Sequence, residues 1–200
     1  MNAGRLTEVI VAPVQSRALD LGMAAPAFSL PDTVSGRTVT LEDFAGSPAL
    51  LVAFICNHCP YVKHILDGFV AFAREYRDRG LAVVAISSND VEQYPADSPQ
   101  EMARIAKERG FTFPYLYDAD QSVARAYDAV CTPDLYLFDR DRRLVYHGQF
   151  DDSRPGSGTP VTGRDLRTAV DAVLEGRAPP SPQHPSVGCS IKWKAGNAPQ

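Results

Sequence analysis

The stretch that most constrains the fold is an apolar run that leads directly into two closely spaced cysteines. Residues 49–55 are apolar and carry no charge, and Cys56-Asn57-His58-Cys59 follows them. Beyond this motif, apolar residues recur at the i, i+3, i+4, i+7 spacing of a buried helical face. They are Val62, Ile65, Leu66, Phe69, Val70, Ala73 and Tyr76. The sequence therefore predicts a buried strand, a Cys-x-x-Cys turn and an amphipathic helix from about Cys59.

The spacing of the two cysteines suits reversible disulfide chemistry. Two cysteines within one turn at a helix N-terminus can close a short disulfide with little backbone movement. The free N–H groups and the dipole of that helix favour an anion, and a thiolate is the attacking species in thiol–disulfide exchange. We therefore predict Cys56 as a nucleophile with a lowered pKa and Cys59 as the less exposed resolving thiol. The imidazolium of His58 is expected to lower the pKa of Cys56 further.

Composition and charge limit the other function classes. The chain has 200 residues, of which 44% are hydrophobic and 22% charged, and its formal net charge is −4. This balance suits one soluble domain, and the scattered cationic residues argue against a nucleic-acid partner. No apolar run approaches the roughly 20 residues of a membrane span, and the N-terminus does not resemble a secretory signal. We expect a cytoplasmic protein, in which cysteines more often serve catalysis or metal binding than structural disulfides.

Strands and helices alternate along the rest of the chain. A continuous apolar run at 81–86 predicts a buried parallel strand, and 135–138 with 144–146 predict an antiparallel pair. Four prolines in 178–185 exclude a helix or a central strand there. We predict an α/β fold: a central mixed sheet with helices on both faces, an N-terminal β-hairpin and an extended C-terminal arm. The predicted segments are an extension over 1–20, a domain over 21–176 and the Pro-rich arm over 177–200.

Three stretches resemble the thioredoxin-like superfamily, in its peroxiredoxin-related redoxin branch of alkyl hydroperoxide reductase and thiol-specific antioxidant proteins. Residues 22–32 resemble the opening hairpin of that branch, and the Cys-x-x-Cys motif lies where the family has its redox cysteine. Thr132-Pro133 resembles the cis-proline loop that faces the redox pair. The tail at 187–194 is similar to that of a bacterial peroxiredoxin-like subgroup. The resemblance covers roughly 21–175 and implies a thioredoxin-like fold, with Thr132 and Pro133 in the site and no cofactor beyond the cysteines.

The chain departs from the branch at the residues that activate peroxide. A hydroxyl residue is usual three positions before the cysteine and a proline seven before, where this chain has Ala53 and Ala49. An arginine expected before the late strand is replaced by the Thr132-Pro133 region. The strand at 49–55 also lacks a buried acid, and Asp90 and Glu92 in the next loop are the nearest candidates. These departures favour disulfide exchange over peroxide reduction.

The residues and the resemblance together predict a thiol–disulfide oxidoreductase with an antioxidant or redox-homeostasis role. Cys56 attacks a disulfide of a protein or small molecule, Cys59 resolves the mixed disulfide, and an external reductant restores the dithiol. The protein is expected to act as a monomer or homodimer. The first alternative is a thiol peroxidase, which reduces hydroperoxides through Cys56 and closes a disulfide with Cys59 or Cys189.

A metal-binding or copper-delivery module is the second alternative. It would use Cys56, Cys59 and a distant histidine such as His147, but zinc typically takes four ligands from two close pairs. Since Cys131 and Cys189 are isolated in sequence, we predict no metal. Cys131 is interpreted as a buried structural thiol or as a third redox group beside the cis-proline motif. Cys189, on an arm expected to be mobile, is interpreted as a resolving cysteine or a free thiol.

Overall fold

The computed structural model describes residues 12–199. The strands of these residues are β1 (Val14–Gln15), β2 (Ser29–Pro31), β3 (Thr38–Thr40), β4 (Ala49–Phe54), β5 (Leu81–Ser87), β6 (Tyr115–Tyr117), β7 (Cys131–Thr132), β8 (Asp134–Phe138), β9 (Leu144–His147) and β10 (Val187–Ser190). The helices are α1 (Pro60–Arg77), α2 (Pro99–Arg109), α3 (Ser122–Ala126) and α4 (Arg164–Leu174). The extension predicted over 1–20 lies outside the described residues as far as residue 11.

A five-stranded mixed sheet forms the centre of the fold, with the order β6-β5-β4-β8-β9. Strand β4 runs parallel to β5 and antiparallel to β8, and β9 forms an antiparallel pair with β8. All six residues of β4 are buried, which is the pattern of a strand covered on both faces. The predicted α/β architecture with a central mixed sheet is confirmed.

Side chains of β4 alternate between two hydrophobic cores because successive residues of a strand point to opposite faces. Leu51 and Ala53 belong to the core that contains the buried faces of α1, α2 and α4. Leu50, Val52 and Phe54 belong to the core under α3 and the β2–β3 hairpin. Helices therefore lie on both faces of the sheet, as predicted.

Helix α1 begins directly after the second cysteine of the motif. Cys59 is its N-cap residue, and Pro60 occupies the first helical position, where its missing N–H costs nothing and its fixed φ suits the helix. All seven residues of the apolar face predicted from the spacing are buried, and Phe72 is buried with them. Gly80, in the turn after the helix, has a φ of +102°, a conformation that glycine adopts readily. The sequence of strand, turn and helix thus matches the prediction for this stretch.

The C-terminal arm is anchored to the domain by strand β10. This strand lies between β1 and β7 and pairs antiparallel with both. Ile191 is buried and Trp193 is partly buried in the core under α3. The expectation of a mobile arm is therefore wrong for this segment, because ladder hydrogen bonds and apolar contacts hold it. Within residues 12–199, no helix combines the length and apolarity that crossing a membrane requires.

Candidate active site

The two cysteines of the motif lie in the short segment that connects β4 to α1. Cys56 follows the end of the strand and lies three positions before the helix N-cap, which is Cys59. The helix begins at Pro60, next to the predicted start at about Cys59, so Cys56 lies in the turn before the helix. Both side chains are buried, Cys56 at 2% and Cys59 at 0% relative exposure, and both are free thiols. Both cysteines are therefore almost completely buried.

Thr132 contacts both cysteines of the motif. Its hydroxyl Oγ1 lies 3.4 Å from Cys56 Sγ, and its carbonyl oxygen accepts a hydrogen bond from Cys59 Sγ at 3.2 Å. The sheet register explains this placement. Phe54, the last residue of β4, pairs with Asp134, the first residue of the antiparallel strand β8. Cys56 lies two positions after Phe54 and Thr132 two positions before Asp134, so the continuing chains run side by side there. The peptide bond between Thr132 and Pro133 is cis.

Burial and nearby negative charge raise the pKa of Cys56 well above its usual value. Desolvation is the largest cause, followed by the neighbouring Cys59 and the carboxylate of Asp97. The hydroxyl of Thr132 acts in the opposite direction but does not balance them. The predicted lowering of the Cys56 pKa is therefore wrong for the reduced protein, because this sulfur lies outside the helix and close to an acid.

Cys59, rather than Cys56, has the environment that favours a thiolate. The neighbouring thiols of Cys189 and Cys56 lower the pKa of Cys59 and outweigh its burial, and the backbone amide of Val62 acts in the same direction. The carbonyl of Thr132 opposes them, since it accepts a hydrogen bond only from the protonated sulfur. Negative charge in this cluster therefore concentrates at the helix N-cap, where free N–H groups and the helix dipole favour it.

Asp97 is a buried acid beside the motif that the sequence analysis does not single out. Its carboxylate accepts hydrogen bonds from the backbone amides of Asn57 at 2.8 Å and His58 at 3.2 Å, and from Asn89 Nδ2 at 2.8 Å. Burial acts to raise the pKa of Asp97, but the hydrogen bonds from His58, Asn89 and Asn57 outweigh it and lower the pKa. Asp97 therefore holds the backbone between the two cysteines as a carboxylate.

His58 contacts this acid. Its Nδ1 atom lies 2.5 Å from Asp97 Oδ2, and its ring stacks on Tyr94 with a centroid separation of 5.1 Å. One ligand atom each of Cys56, His58 and Asp97 all lie within 4.8 Å of one another, so these three could hold a metal ion. His147, considered from sequence as a metal ligand, instead has its Nε2 atom 2.8 Å from Asp134.

The two remaining cysteines have different surroundings. Cys131 is completely buried, its thiol faces the Pro133 carbonyl at 3.8 Å, and burial, followed by the charge of Asp134, strongly raises its pKa. Cys189 is only partly buried and lies on β10 opposite Thr132. The neighbouring Cys59, together with burial, raises the pKa of Cys189. The cluster of interacting thiols is therefore Cys56, Cys59 and Cys189.

Space beside the cis-proline is limited. A cavity of about 20 Å³ lies there, with Tyr61 and Pro133 on one side and Ser186 and Val187 of the C-terminal arm on the other. Such a volume has room for about one water molecule. Residues of the C-terminal arm therefore line the small space beside the cis-proline.

Comparisons with known proteins identify relatives of this chain. Residues 21–147 match the model of the AhpC/TSA family. The protein of Mycobacterium tuberculosis H37Rv named "Putative peroxiredoxin Rv2521" is 30% identical over 115 residues, which are 58% of this chain and 68% of the relative.

Solved structures agree with this assignment. The crystal structure of a hypothetical protein from Sinorhizobium meliloti 1021 is 55% identical, with a TM-score of 0.90 over 91% of this chain and 99% of that one. The thioredoxin domain of a Bacteroides vulgatus thiol-disulfide oxidoreductase is 19% identical, with a TM-score of 0.56 over 75% of this chain and 97% of that one. The latter likeness concerns the fold alone and confirms that it is thioredoxin-like. The chain is a peroxiredoxin-related redoxin of the thioredoxin superfamily and belongs to the AhpC/TSA family.

Proposed function

We propose that this protein is a thiol–disulfide oxidoreductase that uses Cys56 and Cys59 as its redox pair. The observation that carries the proposal is that one residue, Thr132, contacts both sulfurs, with its hydroxyl 3.4 Å from Cys56 Sγ and its carbonyl oxygen 3.2 Å from Cys59 Sγ. The Cys-x-x-Cys spacing lets the two sulfurs close a disulfide with little movement of the backbone. Membership of a redoxin family supports the same chemistry.

The first step is the activation of Cys56. In the reduced pair Cys56 keeps its proton, because its pKa is raised, and Cys59 carries the negative charge, because its pKa is lowered. When a substrate disulfide approaches, the proton passes to Cys59 and the Cys56 thiolate attacks one substrate sulfur. The substrate disulfide breaks, a mixed disulfide with Cys56 forms, and the first substrate thiolate leaves with the proton from Cys59.

The second step closes the disulfide of the pair. The Cys59 thiolate, stabilised at the N-cap of α1, attacks Cys56 Sγ of the mixed disulfide. The second substrate thiolate leaves, and the pair has given two electrons to the substrate. An external dithiol reductant then restores the reduced pair. Asp97 acts here as a positioning residue, because it holds the backbone amides of Asn57 and His58 between the two sulfurs.

Single-cysteine variants test this assignment. The dithiol form of the wild type is expected to reduce insulin disulfides, and Cys56→Ser is expected to lose this activity. Cys59→Ser should also stop turning over, but it should accumulate a mixed disulfide at Cys56 that peptide mapping identifies. Cys131→Ala, which alters a buried thiol outside the cluster, is the matched control. Insulin reduction by Cys56→Ser, or capture of substrate at Cys59 in that variant, would contradict the proposal.

A second candidate function is the reduction of hydroperoxides by Cys56. It is supported by the family match and by the position of the Thr132 hydroxyl, 3.4 Å from Cys56 Sγ. This hydroxyl takes the place of the one that is usual in the family at the position of Ala53. In this reaction the Cys56 thiolate attacks the peroxide, becomes sulfenic acid and releases an alcohol or water, and Cys59 then closes the disulfide with loss of water. Peroxide consumption by the wild type and a dimedone-labelled Cys56 in Cys59→Ser would support it.

A further inference from the structure

The C-terminal arm brings a third cysteine to the redox pair. Strand β10 pairs with β7 so that Cys189 stands directly opposite Thr132. Thr132 is also the residue whose hydroxyl contacts Cys56 and whose carbonyl accepts from Cys59. Cys59 is the group that raises the pKa of Cys189 most, and the Cys189 side chain packs against the core that contains both motif cysteines. Three thiols therefore meet around a single residue.

The close approach of β10 depends on the glycine beside Cys189. A Cβ atom at Gly188 would lie 1.9 Å from the carbonyl oxygen of Thr132, a distance at which the backbone must shift. Only a residue without a side chain allows the strand to lie this close. The position of Cys189 is thus set by backbone contact with the cis-proline loop.

Further hydrogen bonds hold the arm on both sides of Cys189. The amide of Ser16 donates to the Ser186 carbonyl at 2.9 Å, and the amide of Ile191 donates to the Val130 carbonyl at 2.9 Å. The amide of Lys192 donates to Asn89 Oδ1 at 2.9 Å. Asn89 in turn donates to Asp97 beside the motif. The segment that carries Cys189 is therefore tied into the same hydrogen-bond network as the redox pair.

We propose that Cys189 is a third redox thiol, which exchanges with the Cys56–Cys59 disulfide at Cys59. This inference rests on the proposed function. The Cys189 thiolate attacks Cys59 Sγ, the Cys56–Cys59 bond breaks, and a Cys59–Cys189 bond forms. Cys56 leaves as a thiolate and takes up the proton that Cys189 gave up. The step is an isomerisation, so no further oxidant or reductant is consumed.

The exchange moves the disulfide toward the protein surface. Cys56 and Cys59 are buried, whereas Cys189 is partly exposed. An external dithiol reductant must touch a sulfur in order to attack it, and Cys189 is the sulfur of the cluster that it reaches first. The external dithiol therefore attacks the Cys59–Cys189 disulfide at Cys189, while Cys56 has already returned to its reduced form.

Disulfide mapping tests this inference. The reduced protein is oxidised with limiting amounts of diamide, which takes two electrons from a pair of thiols and is not itself a disulfide substrate; it is then quenched with N-ethylmaleimide in denaturant, digested and analysed by mass spectrometry. The wild type is expected to contain Cys56–Cys59 and Cys59–Cys189 within single chains. Cys56→Ser is expected to contain Cys59–Cys189 alone, and Cys189→Ser Cys56–Cys59 alone. Cys131→Ala serves as the control and should show the wild-type pattern.

The same experiment separates this inference from the proposed function. If Cys189 stays alkylated in the wild type and in Cys56→Ser, or links only to a second chain, the third-thiol proposal is overturned even where insulin reduction continues. If Cys59–Cys189 forms within the chain but insulin is not reduced, the third thiol stands and the proposed substrate reaction fails. Cys189→Ser has a second readout: reduced protein should still be oxidised in a single turnover, but its disulfide should be reduced more slowly by an external dithiol.

Discussion

The Nδ1 atom of His58 lies 2.5 Å from Oδ2 of Asp97, so the histidine between the two cysteines has a buried carboxylate as its partner. The carboxylate of Asp97 also accepts hydrogen bonds from the backbone amides of Asn57 and His58 and from the side chain of Asn89. It raises the pKa of Cys56 by its negative charge. One residue therefore holds the geometry of the motif and opposes ionisation of its first sulfur.

Replacing Asp97 by Asn is expected to lower the free energy of unfolding by about 1.5–3 kcal/mol at pH 7, because hydrogen bonds to a charged acceptor are lost in a buried site. Urea denaturation followed by circular dichroism measures this change. Asp78→Asn is the control, since the Asp78 side chain is 81% exposed and pairs only with its neighbour Arg77. A loss no larger than that of Asp78→Asn would contradict the role given to Asp97.

The stability contribution of Asp97 has a defined pH dependence. Its pKa is lower in the folded protein than the ordinary value of 3.8, so the folded state favours the carboxylate. The contribution is present above the unfolded pKa and is lost as the pH falls through the lower folded pKa. Wild type should therefore lose more stability than Asp97→Asn when the pH is taken below 4. Parallel acid-unfolding curves of the two proteins would contradict this assignment.

The reduced cluster is expected to ionise first at Cys59. Thiolate absorbance at 240 nm, followed against pH, should persist at neutral pH in Cys56→Ser and be lost in Cys59→Ser, because the donors and the helix N-cap surround Cys59. Asp97→Asn should lower the pKa of Cys56 by removing a nearby negative charge. Thiolate absorbance that depends on Cys56 instead would reverse the assignment.

Gly188→Ala is expected to displace β10 from the cis-proline loop. Its Cβ atom would lie 1.9 Å from the Thr132 carbonyl, and forced overpacking of this kind typically costs about 1–3 kcal/mol. Cys189 should react faster with N-ethylmaleimide as the strand moves away. The control is Gly46→Ala, whose Cβ meets nothing within 4 Å. Equal stability and equal Cys189 reactivity in the two variants would show that β10 tolerates the side chain.

The buried contact between His147 and Asp134 is expected to contribute more to the free energy of unfolding than a surface ion pair does. His147 Nε2 lies 2.8 Å from Asp134 Oδ1, and Tyr136 donates to the other carboxylate oxygen at 2.9 Å. His147→Ala leaves a buried carboxylate short of a partner, which costs about 1–3 kcal/mol or more.

Arg109→Ala is the comparison for this prediction. It breaks an ion pair with Asp67 in which both side chains are about half exposed or more, and such pairs contribute about 0–1 kcal/mol. Thermal denaturation of the two variants under the same conditions measures the difference in their stability. A larger loss of stability in Arg109→Ala than in His147→Ala would contradict the prediction.

Much of the fold was predictable from local patterns. The apolar run at 49–55 became the fully buried β4, and the helical spacing after it became α1. The strand at 135–138 and its antiparallel neighbour also follow the prediction. These signals are readable in sequence because the period of apolar residues depends only on the local backbone geometry and on which face is buried.

The site was predictable only in part. Sequence and resemblance pointed to the cysteine pair and to Thr132-Pro133, which the sheet register brings opposite Cys56. They did not point to Asp97, which lies in a polar loop where acids are common and 39 positions along the chain from His58. The arm was expected to be mobile because it is rich in proline. The four-residue strand β10 that follows the prolines is too short to give a clear pattern in the sequence, and it forms by pairing with distant strands.

The amino-acid sequence by itself determined the strand, the Cys-x-x-Cys turn and the helix, because periodicity and helix-start residues act over a few positions. The tertiary structure decided which sulfur is favoured as the thiolate and which groups surround it. Thr132 reaches Cys56 from 76 positions away, and Asp97 and Cys189 arrive through loop packing and strand pairing. A pKa depends on charges, donors and burial within a few ångströms, and those neighbours are set only when the chain has folded.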